Sequence, residues 1–221
     1  MSNRTRRAAP IVGLLFVAAY VAVALLLGPG QDATTKSAEE LVAYYRDNHV
    51  EQTLGAVLIG VCAIALLFWT AELRSVLRDA EGPSGNLSAV AFAGAIVFVG
   101  GSLIGASIHI ALADYANNTD VIQPQVFQTL NAFDWSNFLF FPVGLGTLLL
   151  ASGLCSIRHG AFPKWLGWTA IVLAITFTTP ALPVGLFGTA VWVLVLSIVW
   201  LREAGTPRVA TASERAALEP A

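Results

Sequence analysis

The side chains best suited to chemistry in this chain are His49, His109, Asp114 and Asp134, with Asn137 close to the last of them. Two imidazoles and two carboxylates can in principle hold a divalent cation, bind a polar ligand or pass a proton. His109 and Asp114 fall in GASIHIALAD (105–114), at the end of an otherwise apolar stretch. Asn131, Asp134 and Asn137 recur at every third residue of NAFDWSN (131–137), read as the start of the fourth apolar span, a spacing that lets a helix turn all three to one side.

What shares a face with His109 decides how it is read. Gly101, Ser102, Gly105 and Ala106 precede it at helical intervals and form one stripe with it. Gly101 and Gly105 also make a GxxxG pair, so the stripe is expected to pack against another helix, with His109 pointing into the bundle. Asp114 lies about 140° away around the helix and cannot be the simple partner of His109 on that helix. An inward histidine needs company, since an unpartnered polar group in an apolar medium costs several kcal/mol. Asp134 or Asn137 is the expected partner, with His49 and Asp114 above. Two readings follow: a polar cluster that pins one helix to the next, or a small pocket for a cation, proton or polar ligand. The structural one is the expectation, because no HExxH or equivalent spacing fixes a metal geometry.

Other chemistries find less support. Cys62 and Cys155 both lie in apolar segments without ligand spacing, which reads as packing rather than zinc or a disulfide framework. A haem held between helices needs two axial ligands at one depth, and His109 is the one histidine inside an apolar run. Ser107 is two residues from His109 and on another face, so no Ser/His nucleophile is expected. There is no phosphate-binding glycine pattern, and no basic patch for nucleic acid beyond Arg4, Arg6 and Arg7. No catalytic residue, metal or cofactor is assigned.

The elements that must position these groups are hydrophobic helices. Of 221 residues 56% are apolar and only 12% charged, with a mean hydropathy of +0.71. Such a chain cannot cover its apolar surface in water, so lipid is its expected solvent. Uncharged runs cover about 8–27, 54–71, 87–113 and 138–157, and then 165–201 without a formal charge. As one helix the last run would reach about 55 Å, nearly twice a hydrocarbon core of about 30 Å. Pro180 and Pro183 supply a break in TFTTPALPVG (176–185), giving spans at about 165–179 and 184–201. The expected fold is all-α: an integral membrane bundle of six transmembrane helices over residues 1–202.

Lysine and arginine orient it. Arg4, Arg6, Arg7, Arg74, Arg78, Arg158, Lys164, Arg202, Arg208 and Arg215 fall on one side, and only Lys36 and Arg46 on the other. Ten against two puts both termini in the cytoplasm. Trp69, Trp165, Trp168 and Trp200 are expected at the inner interface, Tyr115 and Trp135 at the outer. Ala22-Val23-Ala24 resembles a cleavage site, but the apolar run continues through Leu27, and an uncleaved signal-anchor helix is expected. Ser37 and Glu40 have capping-box spacing and open an amphipathic helix at about 37–50, lying on the outer face with Tyr44 and Tyr45 near headgroup level. The second helix is expected to run past the lipid and turn at Gly82-Pro83, and residues 203–221 to form a disordered cytoplasmic tail.

The first span, the outer SAEELVAYYRDN (37–48) and FWTAELRSVLRDAEG (68–82) after the second span carry a resemblance. In this order they resemble a group of uncharacterised multi-pass membrane proteins of actinobacteria, over most of residues 10–202. The resemblance implies a bacterial plasma-membrane protein and brings no catalytic residues with it. The functional expectation is a structural or accessory membrane protein that binds a partner or lipid, its partners being the bilayer and a membrane protein or a second copy of itself. A small transporter or channel subunit, with an outward-facing site at His109 and Asp134, is the alternative. A membrane enzyme acting at the outer face is the second. Against transport, no charged group falls at mid-span, where ion pathways usually place one.

Overall fold

The computed structural model describes residues 3–27, 36–117, 123–136 and 139–205, and every element in them is helical. The order is α1 (Asn3–Leu26), α2 (Ala38–Asp47), α3 (His49–Glu81), α4 (Asn86–Asn117), α5 (Pro124–Ser136), α6 (Gly146–His159), α7 (Lys164–Thr176) and α8 (Leu182–Gly205). Among them α3, α4 and α8 are long and apolar enough to cross a membrane. The 206–221 part of the tail lies outside the described residues, as does Asn137.

Glycine and proline shape the main bundle more than helix propensity does. A Cβ on Gly94 would lie 2.7 Å from the Gly144 carbonyl, and one on Gly144 would lie 2.6 Å from the Phe98 amide nitrogen. Backbone therefore meets backbone where α4 crosses the chain entering α6. That chain is a π-helical turn, Phe141–Leu145, containing Pro142, whose missing amide donor suits a widened turn. Gly153 of α6 and Gly167 of α7 oppose each other in the same way. The main core of large side chains includes Leu66, Trp69, Leu73, Leu148, Leu166, Trp192 and Leu196.

The expected turns occur near their predicted places. Gly82 takes a positive φ of 76° and ends α3, followed by a 3-10 turn through Pro83. The long uncharged run breaks at residues 177–181. At about 20 Å, the 13-residue α7 is shorter than a hydrocarbon core. Hydroxyls cover the carbonyls exposed at this turn: Thr176 donates to Leu173, Thr178 to Ile175 and Thr179 to Thr176, at 2.6 to 2.9 Å.

Three expectations need correction. Trp69 and Trp200 are buried in the main core rather than set at an interface, because each packs against other aromatic rings; Trp165 and Trp168 do face outward. The segment 131–136 does not begin the fourth span but ends the separate helix α5, whose own apolar face, Phe127 and Leu130, docks on α2 and α4. Tyr45 is fully buried rather than at headgroup level, because α2 packs on the bundle end and not flat on a surface.

Candidate functional site

A second, smaller core forms a cap where α2 and α5 sit on the end of α4. Leu41 and Tyr45 of α2, Leu112, Ala113 and Ala116 of α4 and Phe127 of α5 make it up. Helix α2 begins where the sequence says it should: the Glu40 amide donates to the Ser37 hydroxyl at 3.2 Å, and the Ser37 amide to the Glu40 carboxylate at 2.8 Å. That start fixes the phase of the helix, so that Leu41 and Tyr45, four residues apart, both point into the cap. Arg46, next along, reaches over to donate from Nε to the Ala116 carbonyl at 3.0 Å, satisfying a free acceptor near the end of α4.

Under this cap the polar groups join into one chain. His109 Nε2 lies 3.0 Å from Asp134 Oδ2, with each side chain only 12% exposed. Tyr45 Oη lies 3.4 Å from His109 Nδ1, and the Asn131 amide nitrogen donates to Tyr45 Oη at 3.1 Å. The Tyr45 and His109 rings are inclined to each other by 29°, with centroids 6.2 Å apart. Three helices thus contribute: α4 gives His109, α2 gives Tyr45, and α5 gives Asn131 and Asp134. Asn131 is buried, and its amide oxygen has no hydrogen-bond partner among the described residues. Burial pushes the Tyr45 hydroxyl well above its ordinary value; the nearby Asp134 charge and Tyr44 add to this, and the Asn131 bond only partly offsets it. Tyr45 is therefore a neutral hydroxyl with one proton to place.

The remaining sequence candidates fall elsewhere. His49 Nε2 and Asp114 Oδ1 form a separate pair at 3.5 Å, more open to solvent at 32% and 62%. At that exposure the pair contributes little to stability. The four candidate side chains are thus divided into two pairs, and no three metal-binding side chains converge among the described residues. The stripe next to His109 has mixed surroundings. A Cβ on Gly101 would collide with the Phe140 ring, and one on Gly105 would touch Asp134 Oδ1 at 3.5 Å. Ala106 is buried, and Ser102 donates to the Phe98 carbonyl of its own helix. Gly105 therefore borders the His109–Asp134 pair at ordinary van der Waals distance.

Sequence reasoning named His109 and Asp134 but missed Tyr45 as their neighbour. The signal was available: Leu41 and Tyr45 recur on the apolar face of α2, and a buried tyrosine needs a polar partner for its hydroxyl. Chemically, the cluster joins α2, α4 and α5 through side-chain polar contacts. Against known protein families, curated proteins and solved structures, the chain finds no match.

Proposed function

We propose that this chain is an integral membrane protein that crosses the bilayer six times with both termini in the cytoplasm. Its role in this reading is that of a structural or accessory component, binding a partner or lipid, and not that of a solute carrier. Following the resemblance described above, its location is a bacterial plasma membrane. The crossings are α1, α3, α4, the chain of residues 139–159 ending in α6, α7 with its threonine-covered turn, and α8. Support for the orientation comes from the arginines and lysines gathered at one end of these helices.

The observation that carries the accessory role is the closure of the polar cluster. Tyr45 and Asn131 are buried, and His109 and Asp134 are nearly so and occupied with each other. A carrier site needs several spare ligands facing a path, whereas here the contacts of His109, Asp134 and Tyr45 hold α2 and α5 to α4, and the one idle side-chain atom of the cluster among the described residues, the Asn131 oxygen, is buried. Two measurements test the reading. With Cys62 and Cys155 replaced, a Pro163→Cys variant should resist a membrane-impermeant thiol reagent on intact cells, and a Gln123→Cys variant should react. Purified protein in liposomes should show no ion or solute flux above empty vesicles. Flux lost on His109→Ala or Asp134→Asn would overturn the accessory role, and labelling at position 163 would overturn the topology.

A further inference from the structure

We propose that the turn between α6 and α7, together with the outward side of α7, binds an anionic phospholipid, whose phosphate is met by Arg158, Lys164 and the indole N–H groups of Trp165 and Trp168. This inference rests on the reading of the chain as a membrane protein, and gives its lipid partner a chemical class and a place.

The fold brings these side chains to one end of the bundle. Gly153 and Gly167 let α6 and α7 run backbone against backbone up to the turn that joins them. Gly160 closes α6 with a positive φ of 70°, and Pro163 precedes the first residue of α7, Lys164. Phe162 is buried against the Trp200 ring and anchors the turn, while Arg158 and Lys164 stay exposed on either side of it. Trp165 and Trp168 are 57% and 59% exposed. Three residues apart, they share a side of α7, and exposed Val172 and Ile175 continue it.

Charge complementarity selects the occupant. Arg158, Lys164, Trp165 and Trp168 offer donors only. Neither cation is in an ion pair among the described residues, and no acidic residue occurs between Asp134 and Glu203 to compensate them. Glu81, whose charge reaches His159, has its carboxylate committed to the Leu87 and Ser88 amides. The indoles of Trp69 and Trp192 donate within the core, to Ser197 Oγ and the Leu166 carbonyl, whereas those of Trp165 and Trp168 have no acceptor among the described residues. Beside them the Thr169 hydroxyl is spent on the Trp165 carbonyl at 2.8 Å. A phosphodiester is anionic and accepts only, so it matches this face. A zwitterionic headgroup would bring an ammonium that the two cations repel.

The order of chemistry along α7 selects a whole lipid over a soluble phosphate. Charge comes first at the turn, then two amphipathic rings, then aliphatic Val172 and Ile175. From Lys164 to Ile175 is about 16 Å, close to half of a hydrocarbon core of about 30 Å. A free phosphate would use the cations and leave the apolar side chains idle; a headgroup with its acyl chains uses both. Another arginine, Arg74 of α3, is engaged elsewhere, over the Phe92 ring at 5.4 Å.

The test is tryptophan quenching of the full chain in phosphatidylcholine liposomes that hold a small, equal fraction of either dibrominated phosphatidylglycerol or dibrominated phosphatidylcholine. Both leaflets carry the probe, so the direction of insertion does not affect the reading. The phosphatidylglycerol should quench more strongly, with an enrichment at the protein of about fivefold for each basic side chain it meets. Trp165→Phe with Trp168→Phe should abolish the excess quenching, and so should Arg158→Gln with Lys164→Gln. Lys36→Gln, at the α2 cap, should leave it in place. Equal quenching of the parent by the two lipids would overturn the proposal. So would an excess that survives in either double variant with the circular dichroism of the parent, or one that Lys36→Gln removes as well. Protein that stays outside the vesicles, quenched by neither lipid, would overturn the membrane reading itself and this inference with it.

Discussion

His109 Nε2 and Asp134 Oδ2 stand 3.0 Å apart, and Gly105, one helical turn before His109, borders the pair, a Cβ there falling 3.5 Å from Asp134 Oδ1. The pair joins α4 to α5 at the point where Tyr45 brings in α2. A histidine inside an apolar run thus acts as a joint between three helices, and its chemistry and its structural work cannot be separated by deleting it alone.

A double-mutant cycle separates them. His109→Ala leaves the Asp134 carboxylate nearly buried without its partner and should destabilise the fold by about 3 kcal/mol. Replacing both, His109→Leu with Asp134→Leu, removes the stranded charge and should cost less than the single change. Unfolding in mild detergent, followed by tryptophan fluorescence, reads both values; a double variant less stable than His109→Ala would contradict this account.

The glycines split into two groups with opposite expected signs. A Cβ on Gly153 would sit 2.7 Å from the Gly167 carbonyl oxygen, so Gly153→Ala must push α6 and α7 apart and should cost about 1–3 kcal/mol. Gly60 of α3 has open space where a Cβ would go. There Gly60→Ala should stabilise by about 0.5–1 kcal/mol through backbone entropy alone. Denaturation midpoints of the two variants should move to opposite sides of the parent value.

Much of the architecture was legible because apolar run length and breakers act locally. The capping box at Ser37, the turn at Gly82-Pro83 and the break after Thr176 are all short-range. Pairing His109 with Asp134 was within reach because depth and face can be counted along a helix. Three things were not. Trp69 and Trp200 lie near span ends, where interfacial and core tryptophans look alike; only the neighbouring helices send them inward. Helix α5 is short, and its separation from the following span depends on docking to α2 rather than on propensity. The burial of Tyr45 arises from the same long-range docking, and with it the contact between Tyr45 and Asn131 was hidden.

Trp69 offers a test of the main core. Its indole Nε1 donates to Ser197 Oγ at 3.0 Å, linking α3 to α8, and Gly13 of α1 lies against both residues. Ser197→Ala leaves a fully buried donor without an acceptor and should cost about 1–3 kcal/mol. Ser197→Thr keeps the hydroxyl but adds a methyl at the Gly13 contact, so it should be destabilising through crowding, not through the lost bond. Trp69 in Ser197→Ala should show a blue-shifted emission relative to the parent. Emission and stability both unchanged would place the indole proton elsewhere.

Glu81 supplies the pH-dependent contribution to stability that can be assigned a sign. Its carboxylate accepts from the Leu87 amide at 2.7 Å and the Ser88 amide at 2.9 Å, capping the start of α4 from the end of α3. Burial alone would raise its pKa, but the two amides, the Ser88 hydroxyl and the charge of nearby His159 outweigh it, and the net direction is down from about 4.5. A group held lower in the folded than in the unfolded chain binds fewer protons when folded, so its contribution is fully present above about pH 4.5. That contribution disappears as the pH falls through the folded value. Glu81→Gln retains one acceptor oxygen and cannot titrate, so the parent should exceed it in stability near neutrality and lose that advantage in acid. Unfolding midpoints of both proteins across this range read the difference directly; a gap that stays constant into acid would show that the charge on Glu81 contributes nothing to the cap.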